Sequence, residues 1–304
     1  MNNNKKAVVV GGAGFIGSNL ADALLEKGFD VHIIDNLSGG KRENVNEKAK
    51  LHIVDIRNLD DIKDIINGAE YVFHLAALPR VQFSIENPIE THDVNINGTL
   101  NVLVASKDGG VKKVIYSASS SVYGDQDIMP LVEDMKANPL SPYGLQKYIG
   151  ELYCKLFFDI YKLPTVSLRY FNVYGPRLDP EGAYALVIGK FLKQKADGKP
   201  VTITGDGKQT RDFTHVYDVV RANILASESN NVGSGEVINI GAGKNFSIEK
   251  LAEMIGGPVE YVESRIEPKD TLADNKKAKE LLGWEPNISF EDGILELKKM
   301  FKLQ

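Results

Sequence analysis

The sequence predicts an α/β protein in which a doubly wound parallel sheet is combined with a smaller α/β domain. Two observations carry this prediction. From residue 7 onward, short runs of β-branched residues alternate with amphipathic segments of helical spacing. A glycine-rich turn also lies between the first run and the first helical segment. Regular alternation of strand and helix is typical of parallel sheets that are covered by helices on both faces.

The elements follow in order along the first half of the chain. The predicted strands are short, apolar runs at 7–10, 31–34, 51–54, 71–75, 114–117 and 165–168. Amphipathic helices are predicted between them, among them 18–27 and 92–107. Such sheets bind ligands outside the carboxyl ends of their strands, so the turns that follow the strands are the candidate binding positions.

The chain becomes less regular beyond residue 176, where glycine pairs and prolines interrupt it. The run 237–240 again has the composition of a sheet strand. We therefore predict a first domain over residues 1–176, to which 212–241 returns, and a second domain over 177–304.

The composition is that of an ordinary globular protein. Of 304 residues, 43% are hydrophobic and 25% are charged, and the net charge is −5. Nucleic acids and anionic membranes are bound through clustered Lys and Arg, so this acidic chain speaks against both partners. A single cysteine, Cys154, and five histidines without metal spacing predict no metal site. Since neither a secretion signal nor an apolar run of about 20 residues is found, we expect a cytoplasmic protein.

The glycine turn from Gly11 to Gly17 joins the first strand to the first helix. Its glycines allow a tight turn, let the backbone approach a pyrophosphate and let the helix pack on the strand. The helix N-terminus adds free N–H groups and a positive dipole for the phosphates. The turn therefore predicts a dinucleotide site on a Rossmann-type sheet.

Asp35, at the end of the second strand, predicts which dinucleotide binds. A carboxylate at this place accepts hydrogen bonds from the ribose hydroxyls and repels a 2′-phosphate, which favours NAD over NADP. Arg57 and Lys41 leave NADP as the alternative. The strand ends at 55–56 and 75–77 fit the adenine and phosphate sides of the same cleft.

A tyrosine and a lysine predict proton-transfer chemistry. Tyr143 and Lys147 lie four residues apart at the start of a long helix that Ser141 caps, so they share one face. The ammonium, the helix dipole and a nicotinamide cation would favour the phenolate, which makes Tyr143 a general base near neutral pH. The serine-rich run 117–121 ends a strand and supplies hydroxyls where that base must work.

Taken together, these motifs resemble the extended short-chain dehydrogenase/reductases, and within them the NAD-dependent nucleotide-sugar epimerases and dehydratases. The resemblance runs from Gly11 to Trp284. Segments 119–125, 138–143 and 179–185 are most similar to UDP-N-acetylglucosamine 4-epimerases. One departure is Gln146, where the family usually has a small residue before the lysine; it bears on how the helix packs.

The resemblance implies that Ser119, Tyr143 and Lys147 are catalytic. The residues expected to bind NAD are Gly11, Gly14, Phe15, Ile16, Asp35, Asn36, Ser38, Gly40, Asp55, Ile56, Leu75, Ala76, Ala77, Asn95, Ser117, Tyr143, Lys147 and Tyr170. Those expected to bind a UDP-sugar are Ser119, Ser120, Ser121, Tyr143, Asn172, Val187, Arg211 and Thr271.

The reaction that the resemblance implies is NAD-dependent 4-epimerisation of a UDP-hexose. Tyr143 would take the proton of the sugar 4-hydroxyl, directly or through Ser119, while the C4 hydride moves to NAD and returns to the other face of the 4-keto sugar. Asn172 would bind the diphosphate together with an arginine, Arg211. Either Arg265 or Lys269 could add a further cation there, since 265–270 departs from the usual run.

Three other functions compete with this interpretation. The related 4,6-dehydratases need an Asp-Glu pair directly after the catalytic hydroxyl residue, where this chain has Ser120 and Ser121, so dehydration is not expected. Arg80 and Arg177 leave a UDP-glucuronate 4-epimerase open, because a uronate needs a cation. A non-catalytic NAD sensor is the third, and the intact catalytic residues speak against it.

One position predicts which sugar is used. In similar 4-epimerases, the residue two before an Ala-Asp pair lines the pocket beside the C2 substituent of the sugar. The pair here is 273–274, which places Thr271 at the pocket, with Leu272 as the alternative. A small residue admits an N-acetyl group that a tyrosine would exclude. We therefore expect UDP-GlcNAc and UDP-GalNAc as substrates, and weaker activity on UDP-Glc and UDP-Gal.

The helix that begins at residue 142 carries apolar residues over a wider arc than one sheet-facing stripe needs. We expect its second face, together with helix 92–107, to pair with a second copy in a two-fold homodimer. The alternative is that the C-terminal domain covers this face.

Overall fold

The structure is a computed structural model that describes residues 5–180, 187–263 and 268–303. Its strands within these ranges are β1 (Lys6–Val10), β2 (Asp30–Ile34), β3 (Lys50–His52), β4 (Tyr71–His74), β5 (Lys113–Ser119), β6 (Thr165–Tyr170), β7 (Val173–Tyr174), β8 (Val201–Thr204), β9 (Thr210–Asp212), β10 (Thr214–His215), β11 (Ser234–Ile240), β12 (Asn245–Ser247) and β13 (Val259–Val262).

The helices of the same ranges alternate with these strands. They are α1 (Phe15–Glu26), α2 (Leu59–Ile66), α3 (Val81–Glu86), α4 (Pro88–His92), α5 (Thr99–Asp108), α6 (Pro142–Tyr161), α7 (Val187–Ala196), α8 (Val216–Glu228), α9 (Ile248–Ile255), α10 (Lys276–Leu282) and α11 (Phe290–Met300).

Seven strands form the central sheet, in the order β11-β6-β5-β4-β1-β2-β3, and every neighbouring pair is parallel. Strands β1 and β4 are adjacent although β2 and β3 lie between them in sequence, so the order reverses beside β1. This reversal is the topological switch point at which such sheets bind ligands. The predicted Rossmann-type fold class is confirmed.

Both faces of the sheet are covered by helices. On one face, α1 and α8 pack with Trp284, whose side chain is fully buried. On the other face, α2, α5 and α6 pack against the sheet, and the core includes Cys154. The cysteine is completely buried, as expected for a small apolar side chain.

A third core holds the C-terminal elements together. It joins α7, α9 and α11 to the parallel pair β8–β13. Aromatic side chains fill its centre, where the rings of Phe213 and Phe290 stack with centroids 4.8 Å apart. Strand β11, which includes the predicted run 237–240, pairs with β6 in the central sheet. The domain boundaries at 176 and at 212–241 stay a prediction.

Several element bounds differ from the sequence prediction by one to three residues, and two further differences concern the third strand and the segment 92–107. The third strand ends at His52, so it is shorter than 51–54. The segment 92–107 is not one α-helix, because Asp93–Gly98 forms a π-helical turn between α4 and α5. Such turns often lie at functional sites. Across the described ranges, no helix is both long and apolar enough to span a membrane, and the cytoplasmic location stays a prediction.

Candidate active site

The glycine turn and the loop after β4 are in direct backbone contact. Gly11 has a positive φ of 86°, and a Cβ there would lie 2.6 Å from the backbone nitrogen of Ala76. The N–H groups of Leu75 and Ala76 both donate to the carbonyl of Val10, each at 2.8 Å. Glycine is therefore required at residue 11. Gly14 is the N-cap residue of α1, and no side chain caps this helix end by a hydrogen bond.

Asp35 directly follows β2 beside this turn and is largely buried. Its carboxylate accepts a 2.9 Å hydrogen bond from the Ala13 N–H and a 2.8 Å bond from the Leu37 N–H. A carboxylate has about four lone-pair sites, so acceptor capacity remains for ribose hydroxyls. Gly40 packs against Asp35, and a Cβ there would lie 2.9 Å from its Oδ1 atom.

The two cations that left NADP open are both engaged with carboxylates. Lys41 pairs with Asp179 at 3.5 Å, and Arg57 pairs with Asp55 at 2.8 Å. The Arg57 guanidinium holds the pKa of Asp55 well below its usual range. Neither cation is therefore held ready for a 2′-phosphate, which agrees with the preference for NAD.

The remaining residues expected around the adenosine lie on the same rim. Asn36 donates to Asp55 at 2.9 Å and accepts from the hydroxyl of Ser38 at 2.7 Å. Ile56 is buried against Gly98, where a Cβ would lie 2.5 Å from its Cδ1 atom. The loop after β2, the loop after β3 and the π-helical turn thus form one wall.

Phe15 and Ile16 lie on α1 at the beginning of the helix. Both are only partly buried, and they pack against the core of the first face. Ala77 follows the Leu75–Ala76 contact and is also partly buried. These positions are compatible with cofactor contact, and their role stays a prediction.

Ser119 ends β5 and caps the short 3₁₀ helix Ser120–Val122. Its hydroxyl oxygen accepts a 3.2 Å bond from the Ser121 N–H and a 2.9 Å bond from the Ser121 hydroxyl. The same Ser119 hydroxyl lies close enough to the phenol of Tyr143 to favour its ionised form and lower its pKa. The structure therefore brings together the serine and the tyrosine that the sequence predicted as catalytic.

Helix α6 positions Tyr143 through two hydroxyl acceptors. The Ser141 side chain accepts from the Gly144 N–H at 3.1 Å and caps the helix as predicted. Ser84 on α3 accepts from the Tyr143 N–H at 3.1 Å. Burial raises the pKa of Tyr143 to about 12, against the opposing effect of Ser119. Without the nicotinamide cation that the sequence expectation included, the shift is upward, because burial outweighs the effect of Ser119.

Lys147 lies one helical turn further on and is buried. Its ammonium donates a 2.6 Å hydrogen bond to the carbonyl of Ser117 and lies 4.9 Å from the ring centre of Tyr116. Burial lowers its pKa to about 8, so Lys147 stays mainly protonated at pH 7. The lysine is therefore a cation that is held in place beside the carboxyl end of β5.

On the opposite side of the cleft, Asn172 joins the strand ends to the segment after residue 267. Its side-chain amide donates to the carbonyl of Asp212 at 3.0 Å and to the Thr271 hydroxyl at 3.2 Å. The Thr271 hydroxyl also accepts from the Asp212 N–H at 3.2 Å, and Thr271 is largely buried. Asn172 has a positive φ of 32°, an uncommon conformation that these two bonds stabilise.

Arg211, on β9, is buried with its guanidinium against backbone carbonyls. Its NH1 group donates to the carbonyls of Thr210 at 2.9 Å and Lys269 at 3.2 Å. Lys269 therefore contacts Arg211 through its backbone, whereas the other candidate cation, Arg265, lies outside the described residues. Val187 begins α7 and packs on the C-terminal core.

The segment that carries Thr271 is held on both sides. The Thr271 N–H donates to the Thr210 carbonyl at 3.1 Å. On the other side, the Leu131 N–H donates to the Leu272 carbonyl at 2.7 Å. The Asp274 N–H donates to the Leu131 carbonyl at 2.9 Å. A segment with paired backbone on both sides holds a well-defined position for its side chains.

Comparison with known proteins agrees with this geometry. The family model described as the NAD-dependent epimerase/dehydratase family matches residues 7–241. The chain belongs to that family.

Solved structures of UDP-sugar 4-epimerases are similar over the whole chain. The Thermotoga maritima UDP-glucose 4-epimerase with UDP-glucose has 40% identity and a TM-score of 0.92, over 98% of each chain. The Methanobrevibacter ruminantium UDP-N-acetylglucosamine 4-epimerase, in complex with UDP-N-acetylmuramic acid, has 41% identity and a TM-score of 0.93, also over 98% of each. The Bacillus cereus UDP-glucuronic acid 4-epimerase with its substrate and NAD has 36% identity and a TM-score of 0.89, over 98% of this chain and 99% of that one.

These findings confirm the predicted enzyme class, an NAD-dependent UDP-sugar 4-epimerase of the epimerase/dehydratase family. NAD is also confirmed as the cofactor. The residues present fit it, because Gly11 leaves no room for a side chain and Asp35 holds a carboxylate beside the helix N-terminus. Within the described part of the chain, no group of three or more His, Cys, Asp or Glu side chains could hold a metal ion.

The structure of this family member adds residues that the sequence did not indicate. Ser84, the acceptor for Tyr143, lies on a short helix without any motif. Asn223 on α8 accepts a 2.9 Å bond from the Tyr170 hydroxyl, and burial raises the pKa of that phenol. His74 is buried and bonded to the Thr99 hydroxyl at 2.8 Å, as expected for a packed side chain.

Proposed function

We propose that this epimerase interconverts UDP-GlcNAc and UDP-GalNAc, with weaker activity on UDP-Glc and UDP-Gal. The observation that carries the proposal is the Thr271 side chain. It is small, and its hydroxyl is bound by the Asn172 amide and the Asp212 N–H. A side chain so held adds little volume to the pocket expected around the C2 substituent, and an N-acetyl group needs that volume.

In the proposed reaction, Tyr143 is the general base and acid at the sugar 4-hydroxyl. The nearby Ser119 hydroxyl offers the proton a path to and from the sugar 4-hydroxyl. The NAD that the glycine turn and Asp35 would hold would supply the hydride acceptor for C4 of the sugar and, after the 4-keto sugar has turned, the hydride donor to its other face. Tyr143 then gives the proton back, so neither residue is consumed.

Lys147 supplies the positive charge that ionisation of Tyr143 needs. Both groups lie on one face of α6, and Lys147 remains mainly protonated at neutral pH. Burial raises the pKa of Tyr143 to about 12, so the phenolate needs additional stabilisation when it acts as a base. We propose that Asn172 and Arg211 bind the diphosphate from the other wall, Arg211 through its charge.

UDP-glucuronate is the competing substrate, since a similar structure binds it. A uronate carboxylate would need a cation, and Arg177 was one of two expected. Arg177 forms a 2.6 Å ion pair with Asp22 on α1 through its NH2 group, so a uronate carboxylate would compete with Asp22 for this cation, whereas an uncharged hexose would not. Its NH1 group is buried without a hydrogen-bond partner among the described residues, so UDP-glucuronate belongs in the substrate comparison.

The test compares kcat/KM for UDP-GlcNAc, UDP-GalNAc, UDP-Glc, UDP-Gal and UDP-glucuronate, with product ratios read by chromatography. We expect the N-acetylated pair to have the highest values and UDP-glucuronate the lowest. A kcat/KM for UDP-Glc or UDP-glucuronate above that of UDP-GlcNAc would overturn the proposal.

We also propose that the enzyme is a homodimer. The face of α6 that points away from the sheet carries four exposed apolar side chains, Leu145, Leu152, Leu156 and Ile160, which are 46–58% exposed. The C-terminal elements therefore do not cover this face, contrary to the alternative. A continuous apolar stripe on a helix longer than its neighbours can pair with the same stripe of a second copy about a two-fold axis.

A further inference from the structure

The side chain of Gln146 lies buried between α6 and the π-helical turn, where it forms hydrogen bonds in both directions. Its Oε1 atom accepts from the Asn95 amide at 2.7 Å. Its Nε2 atom donates to the hydroxyl of Thr91 at 3.0 Å. Gln146 is only 4% exposed, so water does not supply these partners in its place.

Asn95 in turn holds the backbone of Leu78 from both sides. The Asn95 Oδ1 atom accepts from the Leu78 N–H at 2.7 Å, and its amide donates to the Leu78 carbonyl at 3.1 Å. The amide therefore uses one N–H on Leu78 and the other on Gln146. Both Asn95 donors and its acceptor are matched, and such a closed network holds each member in one orientation.

The loop that contains Leu78 is the one that packs on the glycine turn. Leu75 and Ala76 bond to Val10, and Ala76 lies against Gly11. A chain of contacts thus runs from Gln146 on α6 through the π-helical turn to the 75–78 loop, which packs on the glycine turn. A small residue at 146 could not reach Asn95.

We propose that Gln146 is a positioning residue for NAD: through Asn95 it fixes the 75–78 loop against the glycine turn and so slows the release of the cofactor. The resemblance implies that a small residue is usual at this position, whereas this chain has Gln146. The proposal depends on NAD and not on the identity of the sugar. It is therefore tested by the release of NAD, independently of the substrate proposed above.

The first test is Gln146→Met, which keeps the length of the side chain and removes its hydrogen bonds. The matched control is Gln194→Met. Gln194 also bridges through both ends of its amide, to the Thr202 N–H at 3.1 Å and the Thr202 hydroxyl at 3.0 Å, but it lies on α7 in the C-terminal core. Both variants lose the same kinds of bond, and only one touches the cofactor side.

The measurement is NAD release from the purified holoenzyme, followed as NAD per protein during dialysis and as a dissociation rate in the presence of an NAD scavenger. We expect release from Gln146→Met to be about tenfold faster than from wild type, the effect of losing one buried bond. Gln194→Met should release NAD at the wild-type rate. Both variants should lose thermal stability, which separates the cofactor effect from a general one.

Wild-type release from Gln146→Met, or equal acceleration in both variants, would overturn the proposal. Should Gln146→Met not fold, Gln146→Ala decides, because it restores a residue of the size that the family carries. It is expected to fold and to release NAD about tenfold faster as well. Unchanged release from Gln146→Ala would refute the role of the amide.

Discussion

The hydroxyl of Tyr123 donates a 2.7 Å hydrogen bond to the side chain of Asn239, and this bond connects the two walls of the active site. Tyr123 directly follows the 3₁₀ helix Ser120–Val122. The Asn239 amide in turn donates to the Leu131 carbonyl at 2.9 Å. Leu131 pairs with the segment that carries Thr271. Asn239 is completely buried, so its partners cannot be replaced by bulk water.

Tyr123→Phe should destabilise the protein, because it leaves the Asn239 Oδ1 atom buried without this donor. We expect the free energy of unfolding to fall by about 1–3 kcal/mol, measured by urea unfolding. Burial raises the pKa of Tyr123 to about 12, so the hydroxyl is a donor at all working pH values. The control is Tyr261→Phe, since Tyr261 is 55% exposed. An unchanged midpoint in Tyr123→Phe would show that the bond contributes nothing.

Tyr143→Phe should lower kcat by about 10²–10⁴-fold, the usual effect of losing an acid–base group. NAD content and the unfolding midpoint should stay near wild type, because the ring and its packing are kept. Tyr153→Phe on the same helix is the matched control and should keep its activity. Turnover near wild type in Tyr143→Phe would remove the phenol from the mechanism.

The candidate catalytic residues could be found from the sequence, whereas the residues that support them could not. Gly11, Asp35, Tyr143 and Lys147 belong to short motifs whose chemistry can be recognised without coordinates. The acceptor for the Tyr143 N–H, Ser84, comes from 59 positions earlier in the chain, and no local pattern marks such a contact.

The burial around Tyr143 could not be predicted for the same reason. The helix pattern placed Lys147 beside the phenol, but burial depends on how several segments pack, and it raises the pKa of Tyr143 to about 12. The π-helical turn was missed because its apolar spacing is helical. Its backbone is set by contacts such as the Gln146–Asn95 bond, which joins residues far apart in sequence.

Thr271→Tyr should suppress activity on UDP-GlcNAc and UDP-GalNAc and spare UDP-Glc and UDP-Gal. A phenol in place of a threonine fills the space that an N-acetyl group needs. The segment that carries residue 271 is hydrogen bonded on both sides, so moving it to relieve the clash costs free energy. We expect the ratio of kcat/KM between the two pairs to change by at least about tenfold, as for a steric clash of this size. Thr271→Val keeps the size and should keep the order of preference. Equal losses on both pairs in Thr271→Tyr would mean that another residue lines the pocket beside the C2 substituent. Leu272 is the next candidate.

His74 predicts how stability depends on pH. Burial and the nearby Lys147 ammonium lower its pKa from 6.5 to about 3. Below pH 6.5 the unfolded chain binds a proton at this residue that the folded protein does not bind, so the free energy of unfolding decreases as the pH falls from 6.5 towards 3. The slope from one such group is about 1.4 kcal/mol per pH unit, and above pH 6.5 the effect is constant.

Urea unfolding at several pH values between 7 and 4 checks this expectation, with His74→Gln as the comparison. Other groups titrate in both proteins, so their contribution cancels in the difference between the two curves. As the pH falls, the free energy of unfolding of the variant should decrease less steeply than that of the wild type. The difference in slope should correspond to the uptake of about one proton on unfolding. Parallel curves would mean that His74 takes up a proton in the folded protein.

Leu152→Lys should convert the proposed homodimer to a monomer. Leu152 is 51% exposed near the middle of the stripe on α6, so a two-fold axis near it would bring both copies of the new charge together without a partner. Light scattering at micromolar concentration should give a dimer mass for wild type and a monomer mass for the variant. Leu295→Lys is the control, because Leu295 on α11 is equally exposed at 51% but lies outside the stripe. A monomeric wild type, or a Leu152→Lys variant that remains dimeric, would contradict this interface.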